Sequence, residues 1–279
     1  MSKKFSVPTA AKTPLILYGR HAVTAALANP ERKIAKLLCT AENAPEAKKI
    51  CAARGLPEAA VNIVDRREID RILPRDAVHQ GFALYCSELP EYSLEDICIL
   101  AADKPDCHLL ILDQVTDPQN IGAVIRSCVA FDTLALIMQD KNAPAETGAM
   151  AKAAAGTIEY LPVCRVTNLS RAVNRLKEAG FWTVGMDGYA QTTIDKMNKG
   201  GKIAIIMGSE GKGMRRLVEE SCDMTVRLPI SGRVESLNVS TAAAMWLAMR
   251  LSGAGRPVLT AGISIAGAVF LYVFFTLVM

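Results

Sequence analysis

The 279-residue chain reads as an α/β protein of two domains. Three observations predict this. Strand-like apolar runs alternate with helical segments along most of its length. From residue 108 onward those runs are continuously apolar, so both faces of the strands are buried, as in a mostly parallel sheet flanked by helices. Glycine and proline punctuate the joins. With 51% of residues hydrophobic and 22% charged, the chain can bury a sizeable core.

The first domain is expected over residues 14–88. Leu15 to Tyr18 is strand-like, and Arg20 to Leu27 helical with Asn29-Pro30 as the stop. Ile34 to Cys39 forms a second strand, followed by a helix from Pro45 to Ala53 that Gly55 ends. Val61 to Val64, a helix from Arg66 to Leu73, and a strand from Gly81 to Cys86 complete the unit. Residues 1–13 are short, basic and expected to be disordered, without a signal peptide. Residues 89–106, with Pro90 and several acidic side chains, read as a linker.

The second domain is expected over residues 107–252. Its strands are His108–Leu112, Leu134–Met138, Phe181–Met186, Ile203–Met207 and Met224–Leu228. Asn168 to Ala179, closed by Gly180, is the clearest amphipathic helix. An Ala-rich helix follows from Thr241 to Leu251. No internal repeat or low-complexity segment is present.

Charge and cysteine narrow the partners. Residues 1–90 carry 14 Lys and Arg against 9 Asp and Glu; the remainder carries 18 against 19. The N-terminal surplus suits a phosphate backbone, and an ordinary solvated surface explains it equally well. The eight cysteines lack C-x-x-C spacing and several lie in apolar runs, so buried free thiols fit better than disulfides, and no metal is expected. Residues 257–279 carry no charge, and a helix of about 21 residues spans about 31 Å, close to a bilayer's hydrocarbon core. Arg250 and Arg256 precede the run, which reads either as a C-terminal membrane anchor or as a last helix packed into a core or dimer interface.

Three polar blocks carry the chemistry. The first runs from Asp113 to Ser127 and contains Asn120, Gly122 and Arg126. Asn120 and Arg126 point toward one loop end if the helix starts near Ile121. The second, Met207-Gly208-Ser209-Glu210-Gly211-Lys212-Gly213-Met214, fits neither a P-loop nor a dinucleotide fingerprint. What remains is a tight loop after a buried strand, either a plain turn or a place where a ligand meets the backbone. Glu210 could serve there as a carboxylate at a helix N-terminus. The third block, Ser236-Leu237-Asn238-Val239-Ser240, opens the last helix, and capping by Ser236 or Ser240 would explain it alone.

Together the blocks exceed what capping requires. They resemble the three motifs of the SpoU/TrmH branch of the SPOUT RNA 2′-O-methyltransferases, over about residues 14–251. Tyr18-Gly19-Arg20-His21-Ala22-Val23 and His79-Gln80-Gly81 look like the ribosomal-protein-L30-like RNA-binding domain of members acting on 23S rRNA guanosine. The resemblance implies a trefoil α/β-knot domain, a homodimer, and S-adenosylmethionine held at Gly208, Leu228 and Leu237. It places Arg126 at the ribose being methylated, as base or as electrostatic clamp, with Asn120, Glu210 and Asn238 shaping the pocket. A tRNA ribose methyltransferase and a non-catalytic RNA-binding or assembly factor are the competing readings. The run after Ser252 has no counterpart in the family pattern, and residues 151–156 fit it only loosely.

Overall fold

The computed structural model describes residues 15–197, 200–231 and 233–253. The chain divides into two compact units between Leu89 and Pro90.

The first unit contains β1 (Leu15–Tyr18), α1 (Arg20–Ala28), β2 (Ile34–Cys39), α2 (Ala44–Ala53), β3 (Val61–Ile63), α3 (Arg66–Ile72) and β4 (Phe82–Cys86). Its sheet runs β1-β4-β2-β3, with β4 antiparallel to β1 and β2, and β3 parallel to β2. Leu17, Leu37, Phe82 and Leu84 of the strands are fully buried, as are Val23 and Leu27 of α1 and Ile69 of α3. Gly81 is favoured by its backbone and by its neighbours. Its φ is +79°, and a Cβ there would stand 2.4 Å from Asn43 Nδ2.

The second unit adds α4 (Leu94–Ala101), β5 (Cys107–Asp113), α5 (Pro118–Ala130), β6 (Ala135–Gln139), α6 (Gly148–Ala153), β7 (Val163–Val166), α7 (Leu169–Glu178) and β8 (Trp182–Met186). It continues with β9 (Lys202–Gly208), α8 (Arg216–Glu219), β10 (Met224–Val226) and α9 (Val239–Gly253). The sheet order is β10-β8-β9-β5-β6-β7, with every pairing parallel. On one face Leu109, Ile111, Ile137 and Ile206 pack with α4 and α7 through Ile97, Val173 and Leu176. Elsewhere α5 packs against α6 and α9. Gly122 permits the first contact, because a Cβ there would lie 2.4 Å from the Met150 carbonyl oxygen.

Several expectations need correction. Residues 89–106 are no plain linker: α4 lies there, opened by a capping box in which Ser93 Oγ accepts from the Asp96 amide and Asp96 accepts from the Ser93 amide. Its Ile97, Cys98 and Ala101 belong to the second unit's core. Helix α5 starts at Pro118, not near Ile121, because Asp117 caps it by accepting from the Gln119 amide at 3.0 Å. Edge strand β7 adds a sixth strand to the five expected in this sheet. The run 257–279 lies outside the described residues, and among these no helix is long and apolar enough to cross a membrane.

Candidate active site

The site forms where β5, β8, β9 and β10 end at the same edge of the parallel sheet, the edge where α/β proteins bind ligands. β5 ends at Asp113, which pairs in register with Gly208 at the end of β9. Asp113 is fully buried, and both its oxygens are used. One accepts from the Arg215 amide at 2.8 Å; the other accepts from Arg215 Nε at 2.9 Å and lies 2.8 Å from its Nη2. The outgoing end of the glycine loop is thereby bolted to the strand that begins the first motif.

The loop folds tightly on itself. The Gly213 amide donates to the Ser209 carbonyl at 2.9 Å, and a Cβ on Gly208 would stand 2.0 Å from the Gly213 carbonyl carbon. Gly211 and Gly213 have φ of +80° and +66°, the left-handed region that glycine enters without strain. These contacts explain the glycine spacing without a phosphate.

A cavity of about 270 Å³ opens beside the loop. Gly208 lines it from the end of β9, Glu210 from the loop after it, Leu228 from the chain after β10, and Leu237 from the chain before α9. Asp187 and Tyr189, after β8, complete its rim. The expected cofactor residues Gly208, Leu228 and Leu237 thus come together.

Of the other expected residues, Asn120, Glu210 and Asn238 join directly. Asn238 Nδ2 donates to Asn120 Oδ1 at 2.9 Å and to Glu210 Oε1 at 2.6 Å. Glu210 Oε1 also accepts the Val239 amide at 3.1 Å, so the carboxylate does sit at a helix N-terminus, that of α9. A second side-chain acceptor at that terminus is Asn238, whose Oδ1 takes the Ser240 amide at 2.9 Å and its hydroxyl at 2.6 Å. Neither Ser236 nor Ser240 provides that cap. One side chain from each motif therefore meets at one point.

Arg126 stands apart. It lies six residues along α5 from Asn120, about 9 Å along the axis. It is half-buried, does not line the cavity, and makes no hydrogen bond or ion pair among the described residues. Asp113 and Arg215 escaped the sequence reading, although a carboxylate closing an apolar strand was a usable signal.

In the first unit, the two N-terminal motifs meet as well. The Arg20 amide donates to Gln80 Oε1 at 3.1 Å. Buried His79 accepts the Gly81 amide on Nδ1 at 3.0 Å, which leaves Nε2 to donate to Asp70 at 3.0 Å.

The profile of the SpoU rRNA methylase family matches residues 108–248. The profile for RNA 2′-O ribose methyltransferase substrate binding matches residues 16–92. The chain belongs to the SpoU rRNA methylase family. This SpoU methylase is 37% identical over 246 residues to the 23S rRNA (guanosine-2′-O-)-methyltransferase RlmB of Pseudomonas syringae pv. tomato, covering 86% of this chain and 97% of that one. It is 35% identical over 230 residues to the putative TrmH family tRNA/rRNA methyltransferase YacO of Bacillus subtilis, covering 81% and 91%. In fold it is similar to the AdoMet-bound rRNA methyltransferase from Sinorhizobium meliloti, with a TM-score of 0.71 at 22% identity over 85% of this chain and 87% of that one. The second unit of this SpoU methylase is thus the expected SPOUT α/β-knot domain, preceded in sequence by a substrate-binding unit, and the chain is an RNA methyltransferase.

The residues present fit S-adenosylmethionine. Leu228 and Leu237 offer apolar walls, and Glu210 in the cavity lining carries the negative charge that suits a cationic sulfonium.

Proposed function

We propose that this SpoU methylase transfers a methyl group from S-adenosylmethionine to the ribose 2′-hydroxyl of a guanosine in 23S rRNA. One observation carries the reading: Asn120, Glu210 and Asn238, one from each motif, are hydrogen-bonded to one another beside a cavity lined by Gly208, Leu228 and Leu237. The identity to RlmB across nearly its whole length supports the rRNA guanosine, and the N-terminal unit provides a surface for RNA.

When bound, S-adenosylmethionine supplies the electrophilic methyl. The chain's residues do the rest. Gly208, Leu228 and Leu237, which line the cavity, would hold the cofactor. Asn238, whose carboxamide is fully engaged within the protein, holds Asn120 and Glu210 in place, and the uncommitted Nδ2 of Asn120 orients the ribose. The attacking 2′-oxygen passes its proton to a phosphate oxygen of the substrate, because a guanidinium already carries its full complement of protons and cannot accept it. Arg126 therefore acts as a clamp on phosphate and on the negative charge developing at the 2′-oxygen. Its lack of a partner among the described residues leaves it available for that contact.

Arg126→Ala tests this with labelled methyl transfer and calorimetry. Turnover should fall by about 10²-fold or more, while S-adenosylmethionine affinity changes by less than about twofold. Retained methylation contradicts the clamp. Failure of the wild type to bind S-adenosylmethionine favours a non-catalytic RNA-binding factor, and labelling of tRNA in place of rRNA favours the tRNA reading. The working form is proposed to be a cytoplasmic homodimer, read by light scattering as twice the 30.0 kDa chain mass. The run 257–279 stays outside the chemistry, and fractionation of cells with and without it separates a membrane-held enzyme from a free one.

A further inference from the structure

Tyr189 is 83% exposed, the largest exposure among the large hydrophobic side chains of the described residues. Its backbone, by contrast, is fixed. The Asp187 amide donates to the Val226 carbonyl at 3.0 Å, and the Tyr189 amide to Asp187 Oδ1 at 3.2 Å. Ala190 and Ile194, just beyond, are buried at 5% and 1% exposure. Farther along, the Arg227 amide donates to the Thr192 carbonyl at 2.9 Å, and the Ile194 amide to the Arg227 carbonyl at 3.0 Å. Tyr189 and Arg227 thus stand on two laced segments at one rim of the cavity. The Arg227 side chain is exposed and makes no hydrogen bond or ion pair among the described residues.

We propose that this rim reads the RNA: the Tyr189 ring stacks on a base of the substrate strand at the methylation site, and Arg227 contacts a flanking phosphate. The inference rests on the methyl-transfer reading above and names how the substrate is held. A cofactor enclosed by Gly208, Leu228 and Leu237 lies inside the cavity, whereas most of the Tyr189 surface faces outward. Presenting a ribose 2′-oxygen in line to a group inside a cavity requires the nucleotide to leave its helical stack. A preset aromatic ring at the entrance replaces the lost stacking, and it does so for any base. The adjacent guanidinium, carried on a fixed strand end, supplies the charge that the backbone needs.

The test uses the full chain and total RNA from cells lacking the gene, which contains both rRNA and tRNA. Tyr189→Ala should raise the RNA KM about 5- to 150-fold, one base stack at about 1–3 kcal/mol converted at about 1.36 kcal/mol per tenfold. Tyr189→Phe, which keeps the ring, should reverse the loss. Arg227→Ala should weaken RNA binding and flatten its logarithmic salt dependence by about 0.7, the share of one single-strand phosphate. An unchanged RNA KM in Tyr189→Ala, or an equal loss of S-adenosylmethionine affinity by calorimetry, overturns the stacking role. An unchanged salt slope overturns the phosphate contact. Labelling of tRNA alone defeats the rRNA reading while leaving the KM ratio readable, and no transfer to either RNA by the wild type defeats both proposals.

Discussion

The Glu210 carboxylate and the Asn238 carboxamide, 28 residues apart, meet at 2.6 Å, and the same carboxylate oxygen receives the first amide of α9. One acidic side chain therefore caps the last helix and orders the motif that precedes it. Glu210→Ala should lower unfolding free energy by about 1–2 kcal/mol, the worth of a lost cap, and weaken S-adenosylmethionine binding in the same protein. Glu210→Gln keeps an acceptor and loses only the charge at the helix end, so its stability should drop by about 0.3–1 kcal/mol. Urea unfolding with parallel calorimetry reads both, and equal effects of the two substitutions contradict the capping account.

Asp113 and Arg215 make a second joint, between the end of β5 and the loop after β9. Arg215→Ala strands a carboxylate of 0% exposure, and should cost about 3 kcal/mol, the low end for a broken buried pair because the guanidinium side is 37% exposed. Denaturant unfolding checks this. A loss below about 0.5 kcal/mol would place the pair among ordinary surface ion pairs.

Much of this was legible in the sequence for physical reasons. The continuously apolar runs of β5, β6, β8 and β9 announced two-sided burial, and the structure places all four inside a parallel sheet. The three motifs carried the site because each follows a strand that ends at the same edge. What stayed hidden depends on neighbours that are distant in sequence. Asp113 finds Arg215 across 102 positions only because β5 pairs with β9. Strand β7 has four residues, with Arg165 among them turned to Glu91 and the Pro144 carbonyl, so no apolar run marked it. Helix α4 was readable in principle, since Ser93 and Asp96 have capping-box spacing, but nearby Pro90 and the acidic side chains masked it.

Asp223 sets an acid limit for the methyltransferase unit. Burial pushes its carboxyl up, but the Lys177 ammonium at 2.8 Å and the Thr183 amide and hydroxyl, each at 2.8 Å, outweigh this and hold it below its ordinary 3.8. The folded chain thus keeps this charge to lower pH than the unfolded chain does. The resulting stability is present above pH 3.8 and is lost as pH falls through the depressed folded value. Asp223→Asn should cost about 1–3 kcal/mol at neutral pH, with the gap to wild type closing below pH 3.8. A gap that stays constant through the acid limb contradicts the assignment.

The most direct measurement of the central claim is a transcriptome-wide map of ribose 2′-O-methylation in cells lacking the gene, complemented by wild type or by Arg126→Ala. The account predicts that one 2′-O-methylguanosine of 23S rRNA disappears, returns with the wild-type chain, and stays absent with Arg126→Ala. A map in which no ribose methyl is lost, or in which Arg126→Ala restores it, contradicts the account.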